Sequence, residues 1–285
     1  MNTAGTSTDL VPVSRLSAYE LDRLSEIYAW QSAPPDWGTR VMAQPGRVAA
    51  MAAQRLVPVG VLRASLRALD QVAGRLSGQR EVLRAAGLDA LADVGRLPLE
   101  DCDRLAGRVE RRAMAMAGAG GAVFGVGGAA SMMVDIPTLL TMALRAIHRT
   151  AYCYGEDWTQ PGARALSLGV FALASANSAG EKQDALLAIR QRHDLLDAAW
   201  RDGVERVAER ELAKDATQFS LQTLAGRIGG HLGLRKSRGL APLLGAVIGG
   251  AVNAGYVHDV ARITRYVLQE RWLRRRYPGL DLDAM

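Results

Sequence analysis

The chain has 285 residues, of which 49% are hydrophobic, enough to bury the core of one large domain or two small ones. Its formal charge of +6 is carried almost wholly by arginine and favours acidic partners such as anionic lipid or nucleic acid, although a GC-rich genome produces the same bias. The two cysteines, Cys102 and Cys153, show no CxxC or metal-ligand spacing, which excludes a disulfide framework and predicts a reduced compartment with no metal or cofactor.

The first residues are polar and lack a basic segment followed by an apolar one, so they do not form a secretion signal. We interpret residues 1–14 as a disordered tail and residues 15–285 as one α-helical domain that stays in the cytoplasm. The sequence contains no sustained period-2 alternation of apolar and polar residues, the pattern that predicts a strand. The fold class expected is all-α: a single multi-helix bundle with two Gly/Ala-rich central helical hairpins or segments.

The first half of the chain contains clear helix start and stop signals. Ser17 and Glu20 form a capping box, and Pro34-Pro35 ends the helix that follows. A second helical region breaks near Pro58, and another is predicted over 62–76. Leu99, followed by two acidic residues, opens the next helix, because acids favour the positive end of the helix dipole.

The second half shows the same helical spacing. A helix of small and apolar residues is predicted over 163–179, after Pro161. Apolar residues from Leu186 to Trp200, with His193 among them, recur every three or four positions and predict a helix that packs along one stripe. The last helix passes through Val260 and ends at Pro278-Gly279.

Two stretches contain no charged residue, Ala113 to Val134 and Leu240 to Val257. Their lengths approach or exceed what spans a bilayer, and each contains a small-xxx-small spacing that permits close helix packing or insertion, Gly121 with Gly125 and Gly245 with Gly249. Alanine and glycine gain little from hydrocarbon, however. Buried helices in a soluble bundle and helices that insert into a membrane both fit the pattern.

Arginines border both stretches. Arg104, Arg108, Arg111 and Arg112 precede the first. The final helix carries a larger set beside an aromatic residue: Arg262, Arg265, Arg271, Arg274, Arg275, Arg276 and Trp272. Basic residues next to apolar helices suit anionic headgroups, so we predict contact with an anionic membrane surface through these residues. A solvated basic face is the alternative. Nucleic acid is unlikely, because no nucleic-acid-binding motif accompanies the arginines.

Three groups of residues resemble the EcsC protein family in order and spacing. The first is Tyr19-Glu20, Trp30, Pro35 and Trp37. The second runs from Asp135-Ile136-Pro137 through Leu140, Arg145, Ala151-Tyr152 and Tyr154-Gly155 to Leu173 and Lys182. The third comprises Pro242 to Ala246, Asn253, Arg271-Trp272-Leu273 and Tyr277. The chain departs from the family pattern at Arg111-Arg112, where an acidic residue is common.

The resemblance covers residues 17–278 and implies a location rather than a reaction. The family is named after a protein encoded beside the ATPase and permease of an ABC transporter, and it is described as membrane-associated. It implies a peripheral protein at the inner face of the cytoplasmic membrane, with anionic lipid and an ABC transporter permease or ATPase as partners.

Motifs for catalysis are weak. The glycine-rich run fits neither a P-loop nor GxGxxG, and Ser167 lies in a poor nucleophile-elbow match. The candidate functional polar cluster is Asp135, Arg145, Lys182 and Asn253. For Asp135, a helix N-cap is the structural alternative. For Asn253, it is a buried residue that fixes helix register.

Three hypotheses follow. The first is a non-enzymatic peripheral membrane protein that acts with a transporter or another membrane partner. The second is a carrier of lipid or another hydrophobic ligand, with the two apolar stretches as cavity walls. The third, least favoured, is a lipid hydrolase that uses Asp135 and a histidine from another helix. No catalytic residue is assigned, and the sequence does not indicate the oligomeric state.

Overall fold

The computed structural model describes residues 15–35, 73–74, 77–125, 132–158, 163–176, 178–190 and 240–278. The helices in these ranges are α1 (Ala18–Ser32), α2 (Gln79–Ala86), α3 (Leu91–Val94), α4 (Leu99–Gly125), α5 (Met132–Tyr152), α6 (Ala163–Ala174), α7 (Ala179–Arg190) and α8 (Leu240–Arg276). The described part contains no strand, which confirms the all-α prediction. The predicted tail 1–14, the break at Pro58 and the stripe from His193 to Trp200 lie outside these residues.

Local signals set the ends of α1 as predicted. The Ser17 hydroxyl accepts a hydrogen bond from the Glu20 amide at 3.2 Å, and the Glu20 carboxylate accepts one from the Ser17 amide at 2.7 Å. The two bonds satisfy amides that a helix start otherwise leaves unpaired. At the other end, Ala33 has extended backbone, as a residue before proline should.

The helices α4 and α8 form the most extensive helix–helix contact of the described part, and α5 packs against both. The 37 residues of α8 extend over about 55 Å at 1.5 Å per residue. Its second half buries Val257, Val260, Thr264 and Val267 at helical spacing, which forms the stripe that faces the core. The apolar stretch 240–257 is the first half of this same helix.

The prediction of one helix over 163–179 is wrong at its end. The helix α6 stops at Ala174, and α7 begins at Ala179 after a second capping box. Ser178 and Glu181 form it, with reciprocal bonds of 3.2 and 3.3 Å. A serine followed three residues later by glutamate is the same signal that marks α1, so the sequence did contain this boundary.

Candidate functional site

The predicted polar cluster divides among several places in the fold. Asp135 is the fourth residue of α5, which begins at Met132, so the N-cap interpretation is wrong. Asn253 lies within α8. The surroundings of these two side chains are outside the described part of the chain, and their functional roles remain predictions.

Lys182 has a structural position that the sequence did not indicate. Its side chain is buried, and its ammonium group donates hydrogen bonds to the carbonyl oxygens of Trp30 and, at 2.7 Å, Ala33. The same nitrogen lies 4.6 Å from the centre of the Trp30 ring. A cation that pairs with the last carbonyls of a helix compensates the negative end of its dipole. Lys182 therefore fixes the end of α1 against α7.

Arg145 lies beside a groove formed by α2, α4 and α5, although its own side chain is not among the residues that line it. The groove has a volume of ≈ 170 Å³, and its charged lining includes Glu81, Arg108, Arg112 and Arg149. Glu81 pairs with Arg112 and, at 2.8 Å, with Arg149. Arg145 lies one turn before Arg149 on α5, and burial followed by the charges of Arg149 and Arg112 lowers its pKa. We call these four arginines with Glu81 the arginine groove.

Most arginines of the final helix are paired with acids. Glu156 binds Arg271 at 3.2 Å and Arg275 at 3.3 Å. Glu270 binds Arg274 and also Arg190 of α7, each at 2.9 Å. Arg271 and Arg275, which were predicted to meet a membrane, therefore join α8 to the turn after α5. The link to α7 is made by Arg190, and the Arg274 pair lies within α8.

The other residues of the final helix that were predicted to contact a membrane differ in their surroundings. Arg262 pairs with Asp259 and Arg265 with Glu110, each at 3.2 Å. Trp272 is only 4% exposed and packs in the core, whereas an interfacial tryptophan was expected. Arg276 is exposed at the end of α8. A membrane contact through this end of the helix therefore cannot include the Trp272 ring in the described conformation.

A buried carboxylate, Asp103 on α4, organises a network that sequence reasoning missed. It accepts hydrogen bonds from the hydroxyl of Tyr19 at 2.7 Å, from the hydroxyl of Tyr154, and from the Gln269 amide at 2.8 and 2.9 Å. Burial and this carboxylate raise the pKa of Tyr154, and burial first and then Asp103 raise that of Tyr19. The network ties α1, α4 and α8 to the turn after α5.

The sequence held one signal for Asp103. It follows Leu99 and Cys102 and precedes Ala106, all buried on one helical stripe. An acid on an apolar stripe needs partners. The partners themselves lie 84, 51 and 166 residues away, which the sequence pattern does not reveal.

The turn Tyr154-Gly155-Glu156 connects this network to the end of α8. Gly155 has φ of +74°, and a Cβ at this position would lie 2.5 Å from the Gly95 nitrogen. Only glycine fits such a backbone and such an approach. Glu156 follows with its two arginines, and the Tyr154 carbonyl accepts a hydrogen bond from Arg275 at 2.9 Å. The family-like sequence Tyr154-Gly155 is therefore a packing element.

The weak nucleophile-elbow match at Ser167 gains one geometric feature and lacks another. His148 Nε2 lies 3.2 Å from the Ser167 hydroxyl, so the serine of the elbow-like segment does meet a histidine. Both residues are buried, at 3% and 0% exposure, and the His148 ring stacks on Trp158. A nucleophile needs access to substrate. In this conformation the pair is a core hydrogen bond.

The four glycines predicted for close packing lie in helices, Gly121 and Gly125 in the last turns of α4 and Gly245 and Gly249 in the first half of α8. Their helix–helix contacts are outside the described part. Among the described residues, no helix combines the length and apolar character that crossing a membrane requires.

Comparison with known proteins places the chain in a family. The model of the EcsC protein family matches residues 22–273. A curated relative, the uncharacterized protein YdbA of Bacillus subtilis (strain 168), is 23% identical over 188 residues. That match covers 66% of this chain and 64% of the relative's length. No solved structure is detectably similar. With the match spanning nearly all of α1 to α8, the chain belongs to the EcsC protein family.

Proposed function

We propose that this protein is a non-enzymatic peripheral membrane protein at the inner face of the cytoplasmic membrane, an accessory or regulatory factor for an ABC-type transporter or another membrane partner. One observation carries the proposal. On the single helix α4, arginines give way at Ala113 to an uncharged surface that is partly exposed. The transporter as partner rests on the family resemblance alone.

The exposed surface of α4 beyond the arginines is apolar. Met116 is 41% exposed, and Ala115 and Ala119 beside it are also exposed, while Ala117 is buried. Met116 lies about 12 Å further along the helix axis than Arg108, from eight residues at 1.5 Å each. A helix end that enters a membrane surface with its apolar residues leaves the preceding basic residues at the level of the headgroups. The order of arginines and uncharged residues along α4 fits that arrangement.

The experiment is flotation of the full chain with vesicles of phosphatidylcholine alone or of phosphatidylcholine with phosphatidylglycerol. We expect flotation with the anionic vesicles at low salt and its loss at high salt, because headgroup attraction is screened. Protein that stays at the bottom of the gradient with every vesicle would overturn the proposal. Lipid that copurifies with protein that does not bind vesicles would favour a carrier instead.

A matched pair of variants locates the contact. Met116→Glu places a charge on the apolar surface of α4 and should abolish flotation. Leu187→Glu is the control, because Leu187 is similarly exposed, at 46%, but lies on α7. Equal loss in both variants would remove α4 from the contact.

A further inference from the structure

The arginine groove contains more positive charge than its one described acid can neutralise. Arg108 and Arg112 lie one turn apart on α4, and Arg145 and Arg149 lie one turn apart on α5, so each pair shares a helix face. Glu81 supplies one negative charge against four positive ones. Like charges across a helix contact repel one another, and burial strengthens the repulsion. Within the described part of the chain, three of these four positive charges therefore have no negative charge to balance them.

Two arginines show this most clearly. Arg149 is 6% exposed, and its Nε atom is buried without a hydrogen-bond partner among the described residues, although one terminal nitrogen binds Glu81. Arg145 also has a buried Nε without a described partner. Buried donors normally have acceptors. These two are therefore available to an acceptor that enters the groove.

The groove also has apolar walls, from Val82 and Ala85 of α2 and from Leu105 and Val109 of α4. Its outer arginine, Arg112, has a 62% exposed side chain, so the groove opens to solvent. Guanidinium groups bind phosphate through paired N–H donors. The charged segment of α4 ends at Arg112, and the exposed apolar surface at Met116 follows one turn later on the same helix.

We propose that the arginine groove binds the phosphate of an anionic lipid headgroup, with phosphate monoesters preferred. This inference deepens the proposed membrane function and rests on it for the source of the phosphate. A monoester offers three oxygens and up to two charges, which suits four arginines better than the single charge of a diester. The headgroup would neutralise the groove as the apolar surface of α4 meets the membrane.

The first test uses inorganic phosphate and thermal unfolding of the full chain. Phosphate should raise the Tm of the wild type, because a ligand that binds only the folded state stabilises it. Arg145→Gln should leave the Tm without phosphate unchanged or higher, since it relieves repulsion, and should remove the phosphate effect. A lower Tm with the phosphate effect intact would assign Arg145 a structural role and overturn the inference. A wild type that does not respond to phosphate or to glycerol 3-phosphate would also overturn it.

The second test uses vesicles of phosphatidylcholine with either phosphatidic acid or phosphatidylglycerol, matched in surface charge. Arg145→Gln should weaken binding to phosphatidic acid vesicles about tenfold, the value of one charge-assisted hydrogen bond. Arg104→Gln is the control, because Arg104 lies on α4 outside the lining of the groove, has a 62% exposed side chain and pairs with Asp101. Equal weakening by both variants would reduce the contact to general electrostatics and refute the site.

The two tests separate failure of the site from failure of the membrane function. Vesicle binding that Arg145→Gln leaves unchanged would refute the groove and preserve the proposed function. Stabilisation by phosphate that Arg145→Gln removes, without binding to any vesicle, would preserve the groove as a site for a free phosphate compound and refute the lipid as its source.

Discussion

Gly155 gives the sharpest prediction about stability. Substitution to alanine places a Cβ on a backbone with φ of +74°, which costs about 1–2 kcal/mol for a non-glycine residue. The same atom would lie 2.5 Å from the Gly95 nitrogen and 3.1 Å from the Leu91 carbonyl oxygen. Both neighbours are backbone atoms, so the turn must move, at a further cost of about 1–3 kcal/mol. Gly155→Ala should therefore lose about 2–5 kcal/mol of unfolding free energy.

Gly87→Ala is the matched control. Gly87 has φ of +69°, but a Cβ there meets no atom within 4 Å, so this variant has only the backbone cost of about 1–2 kcal/mol. Urea unfolding followed by far-UV circular dichroism measures both, and unchanged slopes make the midpoints comparable. Equal losses in the two variants would refute the close approach of the Gly155 turn to Gly95.

Three further predictions concern the buried network and the thiols. Tyr154→Phe removes one hydrogen-bond donor to Asp103 and should lower the free energy of unfolding in urea by about 1.5–3 kcal/mol. Tyr266→Phe is the control, because the Tyr266 ring stacks on Trp30, and it should lower that free energy by less than about 0.5 kcal/mol. Equal effects would contradict the network. The free energy of unfolding should fall as the pH rises above 10. The raised pKa values of Tyr19 and Tyr154 keep both hydroxyls protonated in the folded state, while the unfolded chain loses these protons. A Tyr19→Phe, Tyr154→Phe double variant with the same slope of unfolding free energy against pH would contradict this assignment. Burial raises the pKa of Cys102 to about 12 and that of Cys153 as well, so a thiol reagent should label them only on unfolding; rapid labelling of the folded protein would contradict their burial.

Signals that act within a few residues were predicted from the sequence. Ser17 and Glu20 start α1, and the acids after Leu99 start α4, because capping and dipole effects involve only the first turn of a helix. The end of α8 before Pro278 follows from the same local rules. The boundary at Ser178 carries the same signal, but the small residues around it also continue a helical pattern, so the predicted helix extends past it.

Features that depend on distant partners were not predictable in this way. Charge counts identify the arginines of the final helix, but Glu156, which pairs with Arg271, lies 115 residues earlier in the chain. Lys182 similarly finds its acceptors 149 and 152 residues away. The arginine groove needs α4 and α5 side by side before its excess charge becomes visible. Sequence spacing alone places Arg145 on a helix without its neighbours.

Fractionation of cells that make the full chain at native level tests the central claim most directly. The account predicts that the protein sediments with the membrane fraction at low ionic strength and is released by high salt or carbonate without detergent, because headgroup attraction is screened. Recovery of all the protein in the soluble fraction under each of these conditions would contradict attachment to a membrane surface.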